Sequence, residues 1–287
     1  MLKKEAALYQ SVLITGASSG IGEECAVFLA HKGFRVFAAA RRLDKLKELA
    51  GAVGAGRITA LAMDVTDEAS IAAAMKTIAE DGAPLYGLVN NAGASSMGPL
   101  EKLPADEWRQ VFETNVFGLA AVTRAVLPQM REAGRGRIVN IGSLTGRIAS
   151  PFQGVYAASK HAVEGLSDSL RRELVPYGVK VSVVRPGAIN TPFGAHEAEM
   201  LERYETDAPY GDQVTTFKAW FERQHPAAPG PSVVAEAVHH ALTAEHPKSR
   251  YVAPPKMAYA LALRNLLPSA LTDRILERVN GLDMFRK

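Results

Sequence analysis

"SVLITGASSGIGEECAVFLAHKG", residues 11 to 33, decides the fold. A short apolar run reads as a buried strand, Gly16, Gly20 and Gly22 follow at once, and a helical apolar period starts behind them. Glycines at such a turn allow a tight bend, let the backbone approach a pyrophosphate closely and let the helix pack on the strand, while unpaired N–H groups at the helix start attract negative charge. A dinucleotide is the natural guest. The spacing departs from G-x-G-x-x-G, so in isolation the glycines could also serve merely as a connection.

The rest of the chain repeats this unit. "FRVFAAA" (34–40), "RITALAMD" (57–64), "LYGLVNN" (85–91), "GRIVNIGS" (136–143), "VKVSVVRPG" (179–187) and "SRYVAPP" (249–255) are further strand candidates. Segments of helical period lie between them, such as Ala69 to Ile78 and Trp108 to Met130. Strand and helix in alternation predict an α/β fold, a doubly wound, Rossmann-like parallel sheet of about seven strands with helices on both faces. At 287 residues, 47% hydrophobic and 22% charged, the chain is expected to form one domain over 1–287, with an insertion at 192–230 and a C-terminal helical extension at 256–287.

Composition excludes several classes. A formal charge of +3, spread without basic blocks, lacks the footprint of a nucleic-acid binder and favours a small-molecule ligand. No stretch supplies the roughly 18 apolar residues a spanning helix needs. The single Cys25 cannot form an internal disulfide, and "MLKKEAALYQ" has no leader-like apolar core, so a cytoplasmic setting is expected. Cys25 reads as a core residue, and His31, His161, His239 and His240 have no ligand spacing beyond their helical context, so no metal site is expected.

In doubly wound sheets ligands lie beyond the carboxyl ends of the strands. There, after the second strand, an acidic residue would bind a ribose 2′-OH, whereas an arginine would meet a 2′-phosphate. The position holds Arg41, with Arg42 beside it, so NADP(H) is expected, with Arg41 as the phosphate partner because it comes first; two solvated arginines at a helix start are the alternative.

"TGASSGIG" (15–22), "NNAG" (90–93), Asn115 in "TNVFG", Ser143, "YAASK" (156–160) and "RPGAINTPF" (185–193) together resemble the short-chain dehydrogenase/reductase family over about residues 10–255. The resemblance implies Tyr156 as acid/base, Lys160 as its electrostatic partner and ribose ligand, Ser143 as a hydrogen-bond partner of the substrate oxygen, and Asn115 as a helix-interrupting residue in a proton relay. It places the cofactor on Gly16, Ser18, Ser19, Gly20 and Ile21, on Arg41, Asp64 and Val65, on Asn91, Ala92 and Gly93, on Tyr156 and Lys160, and on Pro186, Gly187, Ile189 and Thr191. Structural and cofactor-contacting roles both stand open for Asn90 and Asn91.

The chemistry explains the Tyr and Lys spacing. Hydride transfer between a carbonyl and an alcohol requires a proton donor and acceptor at the oxygen. A phenol can serve if its pKa falls from about 10 by about three units, which takes roughly 4 kcal/mol of preferential stabilisation of the phenolate. A cation at i+4 on a helix is a neighbour able to supply it.

The 192–230 insertion reads as a lid. Its Phe193, Tyr204, Tyr210, Phe217, Trp220 and Phe221 would either wall a substrate site or staple the lid to the body. The tail "KMAYALALRNLLPSALTDRILERVNGL" (256–282) would pack on the body, pair subunits or rest on a membrane surface. This tail and "SKHAVEGLSDSLRREL" resemble the hydroxysteroid and retinol dehydrogenases, implying an apolar alcohol or carbonyl substrate. The wider family implies a homodimer or homotetramer. An acyl-thioester ketoreductase, a sugar-nucleotide epimerase or dehydratase, and an NADP(H)-sensing scaffold without turnover are the alternatives; the epimerase's glycine spacing and larger C-terminal domain are not seen.

Overall fold

The computed structural model describes residues 10–54, 56–82, 84–224 and 226–286. The expectation about a leader falls on the N-terminal residues 1–9, which lie outside them. Seven strands form one sheet in the order β3-β2-β1-β4-β5-β6-β7, and every adjacent pair is parallel. They are β1 (Ser11–Thr15), β2 (Arg35–Ala40), β3 (Ile58–Ala62), β4 (Leu85–Asn90), β5 (Gly136–Ile141), β6 (Val179–Pro186) and β7 (Arg250–Ala253). Each falls inside a predicted apolar run, and β1 is buried along its whole length, as a sheet covered on both faces requires. The order reverses between β1 and β4, which opens a crevice at their carboxyl ends.

Helices α1 (Gly20–His31), α2 (Leu43–Val53), α3 (Glu68–Glu80), α4 (Ala105–Phe112), α5 (Leu119–Glu132) and α6 (Gly154–Glu173) alternate with the first strands. Cys25, Ala26, Leu29, Val234, Val238 and Leu242 form a core on one face of the sheet, whereas Ile71, Ile78, Val122, Val126 and Met130 form one on the other. Cys25 is fully buried, and burial first, then the Glu24 charge, push its thiol up to about 12. It is an inert core residue.

The segment of helical period from Trp108 to Met130 is interrupted at the residue the family resemblance implies. A π-helical turn over Glu113–Gly118 separates α4 from α5. Asn115 interrupts the α-helix by widening this turn, because its buried amide is engaged away from its own helix: Ala94 N–H donates to Oδ1 at 2.7 Å, and Nδ2 donates to Ala94 O and Ser159 Oγ, both at 2.9 Å.

The 192–230 insertion folds as two helices, α7 (Pro192–Glu202) and α8 (Gly211–Gln224), before α9 (Ser232–Thr243) returns to the sheet. Tyr204, Phe217 and Phe221 join Met97, Leu103 and Val111 in a third apolar cluster. Gly98 has φ +153 and no room for a Cβ, because the Tyr204 ring lies against it. Arg203 donates to both oxygens of Glu107 at 2.6 and 2.7 Å, and Tyr210 donates to Glu101 at 2.7 Å. The insertion is therefore stapled to the body at its turn.

Beyond β7, α10 (Ala258–Leu266) and α11 (Ser269–Val279) run along the surface. Leu261 is buried, whereas Tyr259, Leu263, Leu266 and Val279 are exposed. No helix among the described residues is long and apolar enough to cross a membrane.

Candidate active site

A cavity of about 960 Å³ occupies the crevice at the carboxyl ends of the strands. One end is bounded by Arg41, Arg42, Asp64 and Val65; the other holds Ser143, Tyr156 and Lys160 under Phe193, Trp220 and Phe221 of the insertion. This size falls within the usual range of ligand pockets, at its upper end.

The glycine turn between β1 and α1 forms the floor. Gly16 has φ +66, and a Cβ there would stand 2.8 Å from Ala92 Cα; a Cβ on Gly22 would collide with Asn91 and the Gly16 carbonyl. Asn91 explains this close packing. Its Nδ2 donates to Thr15 O at 3.0 Å and to Gly16 O at 3.2 Å, while its own N–H and that of Ala92 both donate to Thr15 Oγ1 at 3.0 Å. The side chain of Asn91 thus braces the turn. Asn90 is also structural, donating to Thr123 Oγ1 and Asn140 Oδ1 at 2.9 Å within the buried layer. Thr191 faces Gly20 from across the cavity, and its Cβ would be 3.4 Å from a Cβ placed there.

The two arginines divide the outer end. Arg42 donates to Ser18 Oγ at 3.0 Å and to Ser19 Oγ at 2.8 Å, which puts its guanidinium over the glycine turn. Arg41 lies toward Asp64. Burial pushes the Asp64 carboxyl up, but hydrogen bonds from Thr66 N–H and Oγ1 at 2.9 and 2.8 Å, with the Arg41 charge, hold it below the ordinary carboxylate range. Asp64 is therefore ionised and committed to its own turn. Position along the chain favours Arg41, whereas the hydrogen bonds to Ser18 and Ser19 set Arg42 at the glycine turn.

At the inner end, helix α6 presents Tyr156 and Lys160 from successive turns. The Lys160 ammonium lies 5.6 Å from the Tyr156 ring centroid and donates to Ile141 O, at the end of β5, at 2.9 Å. Ser143 lies beside the Tyr156 phenol, close enough to favour its ionised form. Ser143 is itself set by the 3-10 turn that follows, where Thr145 N–H donates to its Oγ at 3.1 Å. A Cβ on Gly93 would come within 3.4 Å of Asn115 Oδ1 and 3.9 Å of Lys160 Nζ, so three predicted motifs converge on this spot.

Burial dominates the electrostatics of the pair. It pushes the Tyr156 phenol above its ordinary range, the negative charge of Glu197 adds to this, and the Ser143 hydroxyl opposes both. Burial also draws Lys160 down to about 8 against the attraction of Glu197. The direction for Tyr156 is opposite to the one expected of an isolated Tyr and Lys pair, because the low dielectric disfavours charge on both groups.

Sequence reasoning missed Glu197. It stands one helical turn after Phe193 on α7, whose ring lies 6.0 Å from that of Tyr156, and it is 6% exposed in the cavity wall. Nothing in the chain distinguishes it from the exposed acids nearby, Glu199 and Glu202, except its register with Phe193. The start of the C-terminal extension also reaches the site: Met257 and Leu261 line the cavity, and Gly187 lacks a Cβ where the Met257 sulfur packs. Among the described residues no His, Cys, Asp and Glu cluster could hold a metal ion.

A family model described as short chain dehydrogenase matches residues 10–202. The chain belongs to the short-chain dehydrogenase/reductase family. An uncharacterized oxidoreductase of Escherichia coli, YbbO, is 36% identical over 271 residues, covering 94% of this chain and 95% of that one. The 17-beta-hydroxysteroid dehydrogenase type 6 of Bos taurus is 35% identical over 280 residues, covering 93% of this chain and 87% of its own. Among solved structures, a short-chain dehydrogenase/reductase from Burkholderia phymatum in complex with NAD superposes with a TM-score of 0.78 at 26% identity, covering 89% of this chain and 92% of that one. This dehydrogenase is thus an oxidoreductase of alcohol and carbonyl groups with a nicotinamide cofactor.

Proposed function

We propose that this dehydrogenase uses NADP(H) to interconvert a secondary alcohol and a ketone, or an alcohol and an aldehyde, on an apolar, steroid-, retinoid- or lipid-like frame. The observation that carries this reading is the continuity of one cavity from Arg41 and Arg42 to Ser143, Tyr156 and Lys160. The residues present fit the cofactor: the glycine turn leaves no space for side chains, and the arginine pair stands where an acidic residue would otherwise receive a 2′-OH. We assign the 2′-phosphate to Arg41 and Arg42 together.

When bound, the nicotinamide ring gives or accepts hydride. Ser143 and the Tyr156 phenol both offer hydrogen bonds to the substrate oxygen; in reduction Tyr156 gives that oxygen its proton, and in oxidation it takes the proton back. Lys160, held by the Ile141 carbonyl, stabilises the phenolate left behind. Asn115 keeps the Ala94 loop and Ser159 in register with α6, so that Tyr156 and Lys160 stay aligned. Phe193, Trp220, Phe221, Met257 and Leu261 make the substrate wall apolar and exclude water from the proton transfer. The hydroxysteroid dehydrogenase relative supports a bulky apolar frame.

The test is a survey of NADPH and NADH oxidation with steroid, retinoid and long-chain ketones and aldehydes, and with an acetoacetyl thioester. NADPH-dependent turnover of the apolar carbonyls above the thioester is expected. A preference for NADH, or for the thioester, would overturn the reading.

A further inference from the structure

Glu197 is a carboxylate in the wrong solvent. Glu197 shares the cavity wall with Phe193, Trp220, Phe221, Met257 and Leu261 and with the polar Gln153 and Gln224, and burying a carboxylate there is costly unless it has partners. Among the described residues Glu197 takes one hydrogen bond, from Ser95 Oγ to Oε1 at 2.6 Å. Its second oxygen takes none, although the side chain lines the cavity. Burial raises its pKa to about 7, against the Ser95 hydrogen bond and the Lys160 charge. The group is close enough to Tyr156 and Lys160 for its charge to act on both.

Packing does not require this group. An apolar residue of similar volume would fill the wall without the cost of burying a charge. What the carboxylate offers is a fixed acceptor, pre-oriented by Ser95 and facing the space beside the reacting centre.

We propose that Glu197 is a specificity-determining acceptor, and that the substrate carries, besides the carbonyl or carbinol facing Ser143 and Tyr156, a hydroxyl or ammonium group that donates to Glu197. This rests on the reaction assigned above and narrows its substrate class to apolar frames with a second polar hydrogen donor. The same charge disfavours substrates with a carboxylate in that place. Phe193 and Glu197, one turn apart on α7, thereby read the two halves of one amphiphilic molecule.

Four probes test it: 4-propylcyclohexanone and the analogues whose chain ends in a hydroxyl, a dimethylamino or a carboxylate group. With the full-length protein, kcat/KM for the hydroxyl or the ammonium analogue is expected to exceed that of the propyl ketone by about tenfold or more, and the carboxylate to fall below it. Which of the two donors leads distinguishes a hydroxylated from an aminated substrate. Glu197→Gln keeps an acceptor for Ser95, and is expected to reduce the ammonium-to-propyl ratio by about tenfold or more and to raise the carboxylate-to-propyl ratio. A wild-type preference for the propyl ketone over both donors, or ratios unchanged in Glu197→Gln, would overturn the proposal. If no ketone is reduced, the assigned reaction fails, and calorimetric titration of the same four compounds still reads Glu197 by the order of their affinities.

Discussion

Glu164 and Arg185 form a buried two-armed ion pair, with Nε to Oε1 at 2.6 Å and Nη2 to Oε2 at 2.7 Å. Glu164 lies one turn beyond Lys160 on α6, and Arg185 immediately precedes Pro186 and Gly187 at the end of β6. The pair therefore ties the helix that carries Tyr156 and Lys160 to the loop that closes the inner end of the cavity. Arg250 on β7 extends the tie, donating to Glu164 at 3.1 Å and to Asp168 at 2.6 Å.

Removing one partner leaves the other charge buried and unpaired. Glu164→Ala is expected to lower the unfolding free energy by about 3–5 kcal/mol, measured by urea denaturation. Replacing both residues by apolar ones of similar size is expected to recover most of that loss, because the uncompensated charge is then gone.

The arginine pair makes a cofactor prediction. Each hydrogen bond to a charged group contributes about 1.5–3 kcal/mol, so Arg42→Ala and Arg41→Asp are each expected to reduce the NADPH-to-NADH ratio of kcat/KM by about tenfold or more. The measurement is steady-state kinetics with both cofactors. Arg42→Ala has the further consequence of freeing Ser18 and Ser19, so the affinity for NADH should also fall slightly.

Gly22 is expected to tolerate no side chain. In Gly22→Ala the added methyl meets Asn91 and the Gly16 carbonyl, so the turn must shift as a unit. Overpacking of this kind costs about 1–3 kcal/mol, and the displaced turn should weaken cofactor binding in fluorescence titrations. Gly51→Ala, on an exposed helix with nothing within 4 Å of the new methyl, is the control and should leave binding intact.

Glu197 also links stability to pH. Its folded pKa of about 7 lies above the ordinary 4.5, so the folded protein holds this proton more tightly than the unfolded chain does. Between pH 4.5 and 7 the unfolded chain releases it first, and stability falls as pH rises by ~3 kcal/mol in total. Lys160 acts in another window, between about 8 and 10.5, where stability rises with pH. Denaturation at several pH values is expected to show the fall in the wild type and its absence in Glu197→Gln.

Periodicity made the sheet legible, because strands buried on both faces read as continuous apolar runs and each observed strand lies within one. Ser143, Tyr156 and Lys160 were equally legible, since local motifs at the carboxyl ends of strands carry them. Three features were not. The π form of the interruption at Asn115 depends on its tertiary engagement with Ala94 and Ser159, which no local pattern contains. The lid aromatics divide by register: Tyr204 and Phe217 only staple, Phe193 faces the cavity, and Trp220 and Phe221 do both. Glu197 was invisible because burial of a single acid on an amphipathic helix depends on what packs against it.

The central claim is that the Tyr156 hydroxyl carries the proton at the reacting oxygen. Single-turnover oxidation of bound NADPH by an apolar ketone, compared between the wild type and Tyr156→Phe, tests it most directly. The account expects a rate loss of about 10²–10⁴-fold with an unchanged NADPH dissociation constant. A variant that turns over within about twofold of the wild type, while binding NADPH equally well, would contradict it.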